Sequence, residues 1–455
     1  MLIQEQQKAE SSYLAHRVAL FKAMKTRQDF AKLLWDGYKN YGNYIFFIFE
    51  KGADQQYTEF NIAKGNNKKR TIAAPDNRLK QIQKKIADIL LSIYEPKKCV
   101  HAFVKNKNIV SNARPHLKSR HVLRLDIKDF FPSIHFGRVR NLFEASPFNF
   151  SREISTAIAI ICCYKGSLPQ GAPTSPIISN MICLRMDAQL SRLAEDNFCS
   201  YTRYADDITF STKSKFFSKR IVFSISPLML SCNIIKIIED YNYFKINNDK
   251  TNIRSPGDSK FITGVKVNSK LNVARKKYRE IRAMLHAVIA YGHDNALKEH
   301  ISKFSRSKLF PPTNFYEIIQ GKIAFLGMVR GNIDPLVSKL KMQLAHIRKF
   351  AHIQKFDEML IKYVEECGYS TTKVNGRKYI FLNIYKNNKK IGLIRQNNTS
   401  GAIETSLRQF TNESIKYIKP KPYAKYAYEN NGLRWSLRGC EDSFGRIYLE
   451  DGVYL

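Results

Sequence analysis

The chain has 455 residues, 44% of them hydrophobic, which is enough for a large buried core of about two to four units and excludes a stapled peptide or a disordered tail. Lysine and arginine total 75 against 39 acidic residues, and the resulting +36 makes a polyanion the expected partner, nucleic acid before an anionic membrane surface. Eight cysteines without a C-x-x-C pair, a polar N-terminus and no apolar run of the roughly 18 residues that span a bilayer point to a cytoplasmic protein with reduced thiols and no structural zinc.

In chain order, Leu14, Val18, Leu20, Phe21 and Met24 recur at helical intervals, so residues 1–45 are expected to be helical. From Tyr57 to Ile72 the pattern becomes β-like, with a polar turn at Lys64-Gly65-Asn66-Asn67. Leu79, Ile82, Ile86, Ile89 and Leu90 predict a helix. The run from His121 to Asp126 predicts a strand that delivers a carboxylate at its end. Buried helices are expected over Ile154–Cys163 and Ile177–Leu193. Tyr201-Thr202-Arg203 and Ile208-Thr209-Phe210-Ser211 flank an acidic turn as in a β-hairpin. After Gly264 the chain turns helix-rich and basic, through Arg275, Lys276 and Lys277 and again from Tyr316 to Val329. From about 346 onward, strand-like runs (Tyr379–Tyr385, Ile391–Arg395) alternate with lysine-rich connections. No internal repeat is present.

An Asp-Asp pair in a turn is weak by itself, because aspartate is a common hairpin residue for local hydrogen-bonding reasons. Several motifs in order change its weight. Leu125-Asp126-Ile127-Lys128-Asp129-Phe130-Phe131-Pro132-Ser133-Ile134 resembles the first palm motif of reverse transcriptases, and Tyr204-Ala205-Asp206-Asp207 resembles their acidic hairpin. The resemblance implies an α+β right-hand polymerase fold, with fingers at 46–120, a palm at 121–270 carrying a fingers insertion at about 137–165, and a helical thumb at 271–345. Asp126, Asp206 and Asp207, with the Ile127 backbone, would hold two magnesium ions, manganese being a substitute, since hard cations take oxygen ligands. Asp129 reads instead as a surface or helix-capping acid.

The same resemblance assigns further roles. Phe131, five residues after Asp126, would lie under the incoming sugar and exclude a 2′-hydroxyl, although packing in the core also explains a phenylalanine there. Gln170 and Gly171, in Leu168-Pro169-Gln170-Gly171-Ala172-Pro173, match the second palm motif, where the glutamine touches the nucleotide and the glycine lets backbone approach it. Lys69 and Arg70 match the basic fingers strand that grips the triphosphate; a solvated basic turn is the rival reading. Lys250, in Asn247-Asn248-Asp249-Lys250, matches the lysine that protonates departing pyrophosphate.

Two motifs narrow the family. Asn112-Ala113-Arg114-Pro115-His116 fits the N-A-x-x-H signature of retron reverse transcriptases, and Ile262-Thr263-Gly264 stands where these carry V-T-G. The retron resemblance implies a structured non-coding RNA as template and primer, deoxynucleoside triphosphates as substrates, an RNA–DNA product and an effector protein in phage defence. Asn112, His116, Thr263, Gly264, Arg275, Lys276 and Lys277 are the expected RNA-binding residues. A defence-associated enzyme outside the retrons, making repetitive DNA on another RNA, is the alternative. A catalytically silent RNA-binding protein is the third reading, set against three intact carboxylates. Residues 346–455 exceed the resemblance and read as a small α/β or β-rich extension of unassigned role.

Overall fold

Apolar residues three and four apart put one stripe of a helix against a core, and that stripe decides the first elements. The computed structural model describes residues 2–34, 41–64, 68–304 and 313–348, and beyond these the strand residues 370–375, 379–386, 389–397, 403–407, 448–449 and 453–454. Helices α1 (Leu2–Ala23), α2 (Arg27–Leu34) and α3 (Tyr41–Lys51) open the chain. Phe21 is fully buried and Leu14 and Val18 pack on the same core, whereas Leu20 is 46% exposed. One residue is a turn of about 100° on a helix, so Leu20 falls off the stripe that Phe21 occupies.

Strands β1 (Tyr57–Lys64) and β2 (Lys68–Pro75) pair antiparallel from Tyr57 opposite Pro75 to Lys64 opposite Lys68. The expected turn residues 65–67 lie outside the described residues. Asp76 then caps α4 (Asn77–Ile93), accepting a 2.7 Å hydrogen bond from the Leu79 amide, and all five apolar residues expected on its inner face are buried.

A short α5 (Ile109–Ala113) begins in a capping box formed by Asn108 and Ser111 and leads to β3 (His121–Asp126). Helices α6 (Phe136–Glu144), α7 (Arg152–Cys162), α8 (Ser175–Ile182) and α9 (Leu184–Glu195) follow. The single helix expected over 177–193 is thus two, because at Cys183 the backbone leaves helical geometry (ψ −5°). Next come β4 (Cys199–Tyr204), β5 (Asp207–Thr212), β6 (Val222–Ile225), β7 (Leu228–Leu230), α10 (Cys232–Ile235), β8 (Asn252–Arg254), β9 (Phe261–Ile262) and β10 (Val265–Lys266). The sheet that matters for function has four strands in the order β4-β5-β3-β8, all antiparallel neighbours. Its apolar face packs with α4 and α6–α9 into one core that includes Leu123, Leu125, Ile208 and Phe210.

Helix α11 (Arg275–Phe304) bends at Gly292, whose φ of +77° is non-helical, and α12 (Phe315–Arg330) and a helical stretch at 335–348 follow. Internal contacts divide the chain into one unit of Met1–Lys277 with Met328–Arg330 and another of Tyr278–Gly327 with Gly331–Leu455. In the second unit, β11 (Ser370–Asn375), β12 (Tyr379–Lys386), β13 (Lys389–Asn397) and β14 (Ile403–Leu407) form an antiparallel sheet in sequence order, and β15 (Tyr448–Leu449) pairs with β16 (Val453–Tyr454). The described residues of the C-terminal extension from 370 onward are therefore β-structure, and the chain as a whole is α+β. No helix among the described residues is long and apolar enough to cross a membrane.

Candidate active site

The acidic residues meet because of strand register. β3 and β5 are neighbours, and Asp126, the last residue of β3, stands directly opposite Asp207, the first of β5. Tyr204 closes β4 opposite the same Asp207, leaving Ala205 and Asp206 as a two-residue hairpin turn, as the sequence pattern predicts. Ala205 has φ +59°, a left-handed value that costs an alanine about 1 kcal/mol. The turn is held from both sides. The Ile127 amide donates to the Asp206 carbonyl at 3.0 Å, and the Arg203 guanidinium donates to the Ala205 carbonyl at 3.2 Å.

Three carboxylates at one sheet end repel one another, and the protein answers with its own cations. Lys250 Nζ donates to both oxygens of Asp126 at 2.8 and 2.7 Å, and Asn247 adds a side-chain hydrogen bond at 3.0 Å while its amide binds the Asp126 carbonyl at 2.8 Å. Arg124, two residues before Asp126 and so on the same face of β3, donates to Asp207 Oδ2 at 2.7 Å. No ion pair among the described residues neutralises Asp206. Burial raises its carboxyl above the ordinary range, and the charges of Asp126 and Asp207 push the same way. Burial also raises Asp207, which Arg124 partly restores. Among the described residues no three acidic, histidine or cysteine side chains are gathered as a ready-made metal-ligand set.

The nucleotide-side residues fall on adjoining elements. Arg70 is exposed on β2 opposite Ile62, and Lys69 stands opposite Ala63. The Ala73 amide of the same strand donates to the Gln170 carbonyl at 2.9 Å, so β2 and the Gln170-Gly171 loop are one backbone assembly. Gly171 has φ +134°, and a Cβ there would stand 2.6 Å from the Ala73 carbonyl oxygen. The close approach that demands glycine is thus to β2, where the sequence reading places it at a nucleotide. Phe131 is half-buried, with its ring 5.3 Å from that of buried Phe130.

The expected RNA-binding motifs also meet one another. Thr263 (φ +46°) and Gly264 (φ +84°) form the two-residue turn between β9 and β10, the geometry of a type I′ hairpin. Asn112 reaches the Thr263 hydroxyl at 3.4 Å, and that hydroxyl donates to the Ile109 carbonyl at 3.3 Å. Asn112 and His116 are 1% and 0% exposed, which corrects the expectation that their side chains touch RNA. His116 bonds Ser211 and Thr202, each at 2.7 Å, and burial lowers its pKa to about 3, so it is a neutral pillar under the motif. Gly264, Arg275, Lys276 and Lys277 are exposed, the last three in the first turn of α11.

Several residues were not singled out from sequence. Arg124 and Asn247 carried a signal, strand alternation for the one and adjacency to Lys250 for the other. Arg203 and Asp187 form a fully buried pair, with Nε and a terminal nitrogen of the arginine on the two carboxylate oxygens at 2.8 and 2.7 Å. The Tyr201 hydroxyl donates to the same carboxylate at 2.8 Å. Its signal is an acid on the apolar face of a buried helix, which has to be paired.

A family profile described as reverse transcriptase (RNA-dependent DNA polymerase) matches residues 62–327, more than half of the chain. The retron Ec86 reverse transcriptase of Escherichia coli is 35% identical over 245 residues, covering 52% of this chain and 71% of that protein. The retron Mx65 reverse transcriptase of Myxococcus xanthus is 32% identical over 250 residues, 51% of this chain and 56% of that protein. A longer alignment, 354 residues at 26% identity, joins 73% of this chain to 90% of the retron Se72 reverse transcriptase of Salmonella heidelberg. With its paired carboxylates at the ends of β3 and β5 and these relatives beside it, the chain belongs to the retron-type reverse transcriptases, a family of RNA-directed DNA polymerases.

Proposed function

We propose that this enzyme binds a structured non-coding RNA and copies part of it into DNA, using the RNA as template and primer, in phage defence alongside an effector protein. The observation that carries the chemistry is the register of Asp126 against Asp207 with Asp206 in the intervening turn. These carboxylates suit two magnesium ions: all donors are hard oxygens, and Asp206 is half-buried with a raised carboxyl and no ion-pair partner among the described residues. Magnesium bound there would lower the pKa of the primer hydroxyl and neutralise the triphosphate. The Ile127 backbone lies beside this cluster, its amide bound to Asp206.

The remaining roles follow from position. Arg70 and Lys69 on β2 are proposed to grip the triphosphate, and Gln170 to meet the base or sugar from the loop that β2 holds. Phe131 is proposed to bar a 2′-hydroxyl. Lys250 is clamped on Asp126 here, and it would be free to protonate pyrophosphate if Asp126 held a metal ion instead. In the right-hand reading, β1 and β2 belong to the fingers, the four-stranded sheet to the palm, and α11 and α12 to the thumb. The Thr263-Gly264 turn and Arg275, Lys276 and Lys277 are proposed as the RNA-facing surface. Asn112 and His116 support it from beneath.

Purifying the protein with its bound nucleic acid and sequencing RNA and DNA, with and without debranching, tests this reading. One defined DNA joined to one RNA is expected. Tandem repeats or homopolymer would replace it with the non-retron alternative. Asp206→Asn with Asp207→Asn should abolish DNA synthesis while RNA still co-purifies; retained synthesis would remove the assignment of these carboxylates.

A further inference from the structure

Phe103 sits at the end of a loop that the buried core fixes from several directions. The Arg203 amide and carbonyl bind Cys99 and His101 at 2.8 and 3.0 Å, extending the sheet beyond β4. Asn180, itself fully buried and bonded to Arg203, donates to the Ala102 carbonyl at 3.0 Å. Lys107 Nζ binds the carbonyls of Lys98 and Val100 at 2.9 and 2.7 Å. These bonds anchor the loop up to Ala102, which is fully buried.

What the loop then presents is costly. Phe103 adopts φ +58°, a left-handed conformation that a bulky aromatic residue rarely takes, and it leaves 43% of its surface in water. Neither cost is returned by burial in the core. Its ring neighbour is Phe131, at 6.4 Å between centroids and an interplanar angle of 46°. Phe131 is itself braced from the core side by Phe130, which stacks on Phe244 at 5.7 Å. Backbone strain and an exposed ring, held in place by a buried network, are the pattern of a residue kept for function.

We propose that Phe103 is a specificity-determining positioning residue: its ring braces Phe131 on the solvent side and fixes the angle at which Phe131 meets the sugar of an incoming nucleoside triphosphate. The inference rests on the reading of Phe131 as the barrier to a 2′-hydroxyl. Without its brace, the Phe131 ring gains rotameric freedom and admits the extra hydroxyl more readily.

The test is single-nucleotide incorporation by the full chain on a primed RNA template, reading the ratio of kcat/KM for a deoxynucleotide over the matching ribonucleotide. Phe103→Gly removes the ring while easing the left-handed backbone, so general misfolding is minimised. We expect the ratio to fall about three- to tenfold, the worth of one aromatic pair. Phe103→Tyr should hold the ratio within about twofold, and Phe103→Gly combined with Phe131→Ala should discriminate no worse than Phe131→Ala alone. Structural damage lowers both substrates together and leaves the ratio unchanged. An unchanged ratio in Phe103→Gly, with a collapsed one in Phe131→Ala, overturns the proposal and spares the barrier. A ratio that Phe131→Ala does not move overturns the barrier, and the proposal with it.

Discussion

At Gly171, conformation and space make the same demand. Its φ of +134° disfavours any side chain, and the Ala73 carbonyl occupies the place of a Cβ. Gly171→Ala should therefore push β2 and the Gln170 loop apart. Single-turnover incorporation is expected to slow at least about tenfold, with a loss of about 1–3 kcal/mol in denaturant melts. The motif made the glycine visible; the neighbour that requires it is almost a hundred residues earlier, where no local pattern reaches. His116 gives a pH dependence at the same scale. Its folded pKa is about 3 against 6.5 for the free side chain, so the unfolded chain takes up the proton first as pH falls. Stability from this residue is full above about pH 6.5 and declines by about 1.4 kcal/mol per unit below it, until the folded pKa is reached. Denaturant melts between pH 7.5 and 5 should show a shallower slope in His116→Gln than in the parent; equal slopes would show that His116 is not buried neutral.

Among the elements, the acidic hairpin β4–β5 depends on a charge pair it does not display. Arg203 links Asp187 of α9, Asn180 of α8 and the Ala205 carbonyl, and it is fully buried. Removing one partner strands the other charge in a dry interior. Asp187→Leu is expected to cost about 3–5 kcal/mol in equilibrium unfolding, and Asp187→Leu with Arg203→Met should recover much of that loss. An additive double variant would contradict the pairing. The strands themselves were legible: the run from His121 to Asp126 placed β3, and the Tyr-Ala-Asp-Asp run marked the turn between β4 and β5. The break at Cys183 and the pairing of Arg203 with a residue sixteen positions earlier were not, because apolar periodicity reports which face is buried and says nothing of what a buried polar group meets there. The same limit hid the bond between the Gln170 loop and β2.

For the molecule as a whole, the +36 charge sets how it holds nucleic acid. RNA affinity should fall on the order of 10³-fold between about 50 and 200 mM salt, as phosphate contacts exchange with counterions. Arg275→Ala with Lys276→Ala should reduce the log–log salt slope by about 1.5–2, measured by filter binding. An unchanged slope would take the start of α11 out of the RNA path. Charge and motif order made the polymerase class legible from sequence, whereas the C-terminal sheet was legible only as strands, since nothing in its spacing names a partner. The contact between Asn112 and Thr263 joins segments 151 residues apart. They are therefore a single heritable module: transplanting either segment alone into a relative would leave a mismatched joint, and the two would have to be moved as a matched pair.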